Sequence, residues 1–350
     1  MERPQAGFAG CGVTAMRTRY LTASLLTMGI CFSQAPNKKA VGCIGCFSEP
    51  QTTLLFRGAC DDLRLVTVTP SGSTTVPEPP EWIGQCASPI PAISPSGDRI
   101  AWSLKFRYDT ETVKCDPSKE VWCDPHPRPI FRSVMGVYSV RDKTWKQYGN
   151  FEEVGSAAFS PDGSKVAFFS QKGCTLVHCD DALMILDLES GQMTPVPGPG
   201  YKSVFWVDQL SWSPDGRFLS GSVNSPRFGR VVSINVATGE TKTITEGTDP
   251  SWSPKGDWIA YIEFDDCKII HSDGTGDRSV FENQHKWTNT WSIDAPIVWS
   301  PDGEKLLLNQ AKPDAAGSRV IMVDLATGHA VRISKNPEVV VSGWVPYSGK

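Results

Sequence analysis

Five times along the chain, an apolar or aromatic residue leads into Ser-Pro, one further residue and Gly. Ile93 precedes Ser94-Pro95-Ser96-Gly97, Phe159 precedes Ser160-Pro161-Asp162-Gly163, and Trp212 precedes Ser213-Pro214-Asp215-Gly216. Trp252 precedes Ser253-Pro254-Lys255-Gly256, and Trp299 precedes Ser300-Pro301-Asp302-Gly303. Each copy runs on into an alternating or apolar stretch: RIAWS, KVAFFS, RFLSG, WIAYI and KLLLN. Runs of this length and composition predict buried strands. A third strand is expected at 183–188, 230–236, 267–271 and 319–325, each entering a turn that ends in Gly. A short fourth strand is expected at 192–196, 241–244 and 330–333.

The turn has a physical basis. Pro presets φ for the first central position of a type I turn, and Asp tolerates the second. Gly then takes a positive φ, which closes a hairpin with a bulge. The Ser hydroxyl can bond to the turn backbone. One such turn says little, but five at intervals of 40 to 66 residues define a repeat of four antiparallel strands. That is the blade of a β-propeller.

The ends complete the count. Residues 53–57, 63–68 and 74–76 read as second, third and fourth strands with no first strand before them, and 339–344 reads as a lone strand with a degenerate sixth turn after it. Joining them gives a sixth blade, which removes the open edge of a terminal repeat. The fold class is therefore all-β, a six-bladed propeller over residues 52–350, its last blade closed by N- and C-terminal strands. The extra length in the first intact unit is expected as a loop over 108–128.

The repeats, apolar-x-Trp-Ser-Pro-Asp-Gly and then a strand ending in Asp-Leu-x-x-Gly, resemble the WD40-like repeat of TolB-type propellers. The same repeat is found in propellers attached to prolyl oligopeptidase-type peptidases. The resemblance covers 52–350 and implies a fold far more than a function. TolB carries a separate N-terminal α/β domain, for which 36–51 leaves no room, so the expectation is a stand-alone TolB-like propeller. Such proteins are exported in bacteria, to the periplasm, cell envelope or exterior.

The N-terminal residues agree with export. Met16-Arg17-Thr18-Arg19 precedes an uncharged apolar run over 20–32 (YLTASLLTMGICF), the pattern of a signal segment and short for a membrane span. Residues 1–35 are read as a leader and 36–51 as a linker. Ala40-Val41-Gly42-Cys43 resembles a lipoprotein box, so Cys43 is a candidate lipidation site. Of 11 cysteines, Cys60 with Cys86, Cys115 with Cys123, and Cys174 with Cys179 are disulfide candidates for an oxidising compartment. Zinc at Cys43-x-x-Cys46, or at Cys174, His178 and Cys179, is the competing reading.

Charge and inventory narrow the function. The net charge of −4 argues against nucleic acid as a partner. A membrane is expected only through a lipid anchor. There is no Gly-x-Ser-x-Gly elbow, His-Glu-x-x-His or phosphate loop. The five histidines are scattered, and no catalytic residue or cofactor is assigned. Connections from each fourth strand to the next first strand (81–86, 148–154, 200–207, 246–250, 284–295 and 336–341) share one face. They bring together Trp82, Phe151, Tyr201, Trp206, Trp287 and Trp291, with Glu153, Asp249 and Asp294, and with Asp208 at the start of its blade. Aromatic anchors beside acidic groups suit a protein or peptide segment carrying basic residues. The carboxylates also suit calcium at the channel mouth. Inter-blade packing is the competing role for each aromatic. The leading expectation is a non-catalytic binding or scaffold propeller. A hydrolase or lyase using Asp208, Asp249 and Asp294, or a purely structural surface-assembly module, are the alternatives.

Overall fold

The computed structural model describes residues 52–57, 63–67, 72–77, 90–112, 127–173, 180–198, 209–223, 229–283, 292–311, 318–334 and 340–346. Among them there are 24 strands and no helix. The chain opens with β1 (Thr52–Arg57), β2 (Leu63–Thr67) and β3 (Gly72–Thr75). Blade 1 follows as β4 (Ala92–Ile93), β5 (Arg99–Thr112), β6 (Pro127–Ser139) and β7 (Thr144–Phe151). Blade 2 is β8 (Glu153–Phe159), β9 (Lys165–Lys172), β10 (Asp180–Asp187) and β11 (Met193–Pro195). Blade 3 is β12 (Ser211–Trp212), β13 (Phe218–Val223), β14 (Arg230–Asn235) and β15 (Thr241–Glu246). Blade 4 is β16 (Thr248–Trp252), β17 (Ile259–Glu263), β18 (Asp266–Ile270) and β19 (Arg278–Phe281). Blade 5 is β20 (Ser292–Trp299), β21 (Lys305–Ala311), β22 (Ser318–Asp324) and β23 (Ala330–Ser334). The last strand, β24 (Val340–Pro346), joins β1 to β3 as blade 6.

The pairing of β24 with β1 closes the ring. It is antiparallel, with Thr53 opposite Val345, Leu54 opposite Trp344 and Leu55 opposite Gly343. The innermost strands β24, β4, β8, β12, β16 and β20 each pack on the next, and β20 packs back on β24.

Strand periodicity builds the core. Successive side chains point to opposite faces of a blade, so each strand feeds two interfaces. Ile100 and Trp102 of β5 pack towards blade 6, and Ala101 packs towards blade 2. Val166 and Phe168 face blade 1, while Ala167 and Phe169 face blade 3. Leu306 and Leu308 face blade 4, and Leu307 faces blade 6. The outcome is six apolar clusters, one per interface. Trp212, Trp252 and Trp299 lie in these clusters, as their place before the turn implies.

The Ser-Pro turns take the expected form. Gly97, Gly163, Gly216, Gly256 and Gly303 have φ between 70° and 77°, and each donates its N–H to the turn serine carbonyl. The serine hydroxyl accepts the N–H five residues on, as from Lys165 to Ser160 at 2.9 Å and from Phe218 to Ser213 at 2.9 Å. It donates to Asp162, Asp215 or Asp302 two residues on. Blades 1 and 4 have Ser96 and Lys255 at that position. There the hydroxyl donates instead to Asp98 and Asp257, four residues on. A carboxylate acceptor is thus kept in all five turns.

Two expectations about loops change. The insertion of blade 1 is a lengthened hairpin rather than a loop from 108 onward, since Asp109 pairs with Ile130 and Thr112 with Pro127. Two of the six connections on the expected binding face are single residues. Glu152 alone joins β7 to β8, and Gly247 alone joins β15 to β16. Gly247 sits at φ 134°, and a Cβ there would meet Tyr261 at 2.6 Å and the Ile262 carbonyl at 2.7 Å. Only glycine allows so short a passage between those blades.

Candidate binding face

Chain direction fixes which connections share a face. Ser-Pro turns and third-to-fourth-strand turns emerge on one side of the ring. Fourth-to-first connections and second-to-third-strand turns emerge on the other, the expected binding face. Trp82, Tyr201, Trp206, Asp208, Trp287 and Trp291 lie outside the described residues, as do Cys43, Cys60, Cys86, Cys115, Cys123, Cys174 and Cys179. Cys267, which is described, is a buried free thiol in the interface of blades 4 and 5, and burial pushes its pKa up.

The described residues differ among themselves. Phe151 ends β7 half-buried, its ring edge-on to Phe168 with centroids 5.8 Å apart, so much of its surface serves the interface of blades 1 and 2. Glu153 is exposed at the start of β8, opposite Gln171. Asp249, the second residue of β16, is buried and adopts φ 54°. Its N–H donates to the Ser222 hydroxyl of blade 3 at 2.8 Å, and its Oδ2 accepts from Thr248 at 2.8 Å. Asp294 lies within β20, opposite Asn309. The fourth residue before the turn serine is Ser156 in blade 2, Gln209 in blade 3 and Asp249 in blade 4, all buried. Gln209 donates to the Ile297 carbonyl and accepts the Ile297 N–H, both at 3.0 Å. This two-point bond links blades 3 and 5 past the inner edge of blade 4. Among the described residues, no three His, Cys, Asp or Glu side chains gather as a metal site would need.

One residue of this face was not singled out by sequence reasoning. Phe264 forms the tip of the two-residue turn between β17 and β18 and is 54% exposed. Among the described residues it is the only large hydrophobe so exposed. Phe264 and Asp265 have φ of 50° and 69°, the conformation of a type I′ turn, which favours Asn-Gly. Positive φ is unfavourable for a bulky residue. The signal was there to read: Phe-Asp between Ile262-Glu263 and Asp266-Cys267 is a hairpin tip without a turn former. Carboxylates flank it, with Glu263 held by Lys268 at 2.7 Å and Asp266 accepting the Asn283 N–H at 2.9 Å.

No known family pattern matches the chain, and no curated protein matches it. Solved structures do. TolB from Acinetobacter baumannii superposes with a TM-score of 0.60 at 13% identity, over 85% of this chain and 66% of that one. A putative TolB from Agrobacterium tumefaciens gives 0.53 at 15% identity, over 81% of this chain and 88% of that one. A chain from a nidogen/laminin complex gives 0.56 at 8% identity, over 85% and 98%. The molecule is a six-bladed β-propeller of four-stranded antiparallel blades. Its arrangement is that of the TolB-like propellers. At these identities the likeness is one of fold, and the chain spans just under two thirds of the Acinetobacter protein.

Proposed function

We propose that this is an exported, non-catalytic propeller that docks a protein or peptide segment carrying basic residues on the face of Phe264. The observation that carries the reading is Phe264 itself, an exposed aromatic in an unfavourable backbone conformation among carboxylates. Strained residues cluster at functional sites, and aromatic anchors dominate interface energies. Exposed Glu152 and Glu153 lie on the same face and favour a cationic partner. The Acinetobacter TolB and the nidogen/laminin chain lend the reading support by fold, the latter coming from a protein–protein complex.

The test is crosslinking capture from envelope extract with wild type, Phe264→Ala, Glu153→Lys, Trp287→Ala and Trp291→Ala, folding being checked by near-UV circular dichroism. A partner captured by wild type and lost from the variants is expected. Equal capture by all five proteins overturns the assignment of the face. Mass analysis of the mature N-terminus tests export, with free cleavage of the signal segment or a diacylated Cys43 as the two forms that support it.

A further inference from the structure

The opposite face of the ring holds a cleft of about 420 Å³ between blades 1 and 2, within the size range of small-ligand sites. Strand periodicity explains its lining. Arg99 pairs with Ser139, Ser139 with Thr144, Val137 with Lys146 and Met135 with Tyr148. Arg99, Val137, Ser139, Thr144, Lys146 and Tyr148 therefore share the face of blade 1 turned to blade 2. Leu188 closes the cleft from blade 2, and Arg141 and Asp142 stand at its mouth.

The repeat supplies internal controls for this corner. In blades 2, 3 and 5 the third-to-fourth-strand turn starts at Asp187, Asn235 or Asp324 and ends at Gly191, Gly239 or Gly328, whose N–H returns to the first residue's carbonyl. In blade 1 the same bond runs from Lys143 to Ser139 at 2.9 Å. A serine thus stands where blades 2 and 5 have a carboxylate. A lysine at φ 55° stands where the other three have glycine. The carboxylate has moved to Asp142, where blades 2 and 5 have Ser190 and Thr327, so the first exchange leaves the charge of the turn unchanged. The lysine adds a positive charge and does so against backbone preference.

The two carboxylates of the cleft are occupied. Asp98 accepts from Ser94 and Ser96, and Asp142 accepts from Ser139 at 2.7 Å. Burial alone would raise the Asp98 pKa, but the bonds from Ser96 and Ser94 and the charge of Arg99 hold it below the usual carboxylate range. Arg99, Arg141 and Lys146 make no ion pair among the described residues. Burial raises the Tyr148 phenol, which therefore remains a neutral hydrogen-bond donor. Three cations without an ion pair among the described residues, with Arg99 on β5 and Lys146 on β7 sharing one blade face across β6, and a phenol surround a space with Val137 and Leu188 as apolar walls.

We propose that this cleft binds a small organic oxyanion, a phosphorylated or carboxylated molecule of about monosaccharide size. Arg99 and Lys146 take the anionic group, Arg141 adds charge at the mouth, and Tyr148 and Thr144 bond to hydroxyls on the body. The site is separate from the Phe264 face and stands or falls independently of it.

The experiment is calorimetric titration of the full chain with inorganic phosphate, glucose 6-phosphate and glucuronate, with glucose as the uncharged reference. Saturable binding of at least one anionic sugar is expected, with none for glucose, and the stronger of the two sugars identifies phosphate or carboxylate as the group recognised. Arg99→Gln and Lys146→Gln should each weaken that binding at least threefold. Lys255→Gln, in the Ser-Pro turn of blade 4, should leave it unchanged. Lys146 is exposed, so its substitution keeps the test valid even where Arg99→Gln disturbs folding. The proposal is overturned when neither anionic sugar saturates, when glucose binds equally, or when Lys146→Gln weakens binding less than threefold.

Discussion

Asn309 of blade 5 and Val341 of blade 6 exchange two hydrogen bonds. The Asn309 carboxamide donates to the Val341 carbonyl at 2.9 Å and accepts the Val341 N–H at 2.9 Å. It donates also to the Pro296 carbonyl at 2.8 Å. Asn309 lies nine residues after its turn serine. The same position holds Ser103 in blade 1 and Ser222 in blade 3, and both bond to the inner strand of the following blade, at Val154 and Asp249. Asn309→Ala leaves three buried backbone groups unpaired, and each costs about 1–3 kcal/mol. A loss of about 3 kcal/mol is expected in urea unfolding, against about 1 kcal/mol for Ser103→Ala, which removes one neutral bond.

The tryptophans before the turns provide a matched comparison. Trp212 donates its indole N–H to the Ala158 carbonyl at 3.1 Å, and Trp299 to the Ser251 carbonyl at 2.9 Å. The buried Trp252 indole nitrogen has no such acceptor among the described residues. Replacement by Phe removes similar volume at each site but a hydrogen bond only at two. Trp299→Phe should therefore lower stability by about 1 kcal/mol more than Trp252→Phe, measured as a difference between urea midpoints at equal slope.

Acid should loosen the Ser-Pro turns. Bonds from the Ser160 hydroxyl and the Ser164 backbone hold Asp162 at about 2, and the Ser213 hydroxyl does the same for Asp215. An unfolded Asp titrates at about 3.9. The folded values are the lower ones, so this stabilisation is complete above about pH 5 and is lost progressively as pH falls through about 4 towards 2. Unfolding midpoints should drop over that window. Asp162→Asn with Asp215→Asn should flatten the drop, both groups being exposed enough for solvent to keep the effect small.

The Phe264 turn predicts a separation of binding from stability. Glycine accepts φ near 50° without steric cost, though it loses more chain entropy on folding. Phe264→Gly should therefore keep the melting temperature within a few degrees of wild type while abolishing partner capture. A large fall in melting temperature would show that the ring is needed for the fold instead.

The blade count was legible because the Ser-Pro-x-Gly turn is local chemistry, written anew in each repeat. Even the closure by 339–344 followed from a missing first strand before Thr53. The face-forming residues were harder to place. Phe151 and Asp249 read as loop residues because a single-residue connection at Glu152 or Gly247 leaves no polar stretch to mark it. Phe264 went unremarked because a hairpin tip is recognised by Asn and Gly, and this one has neither. The cleft beside Arg99 was invisible to a linear reading, since its residues come from three stretches of the chain, 98–99, 137–148 and 188, brought together by strand register and by the packing of blade 2 on blade 1.

The union of β1 with β24 also sets how the molecule comes apart. An open array of repeats can fray inwards from whichever end is weakest, losing units one at a time. In this ring every blade has neighbours on both sides, and no unit can peel away until one junction gives. The seam between Leu54 and Trp344 is the single junction where two distant stretches of backbone must meet. Its closure should replace gradual unravelling with one concerted collapse, set off when a junction opens.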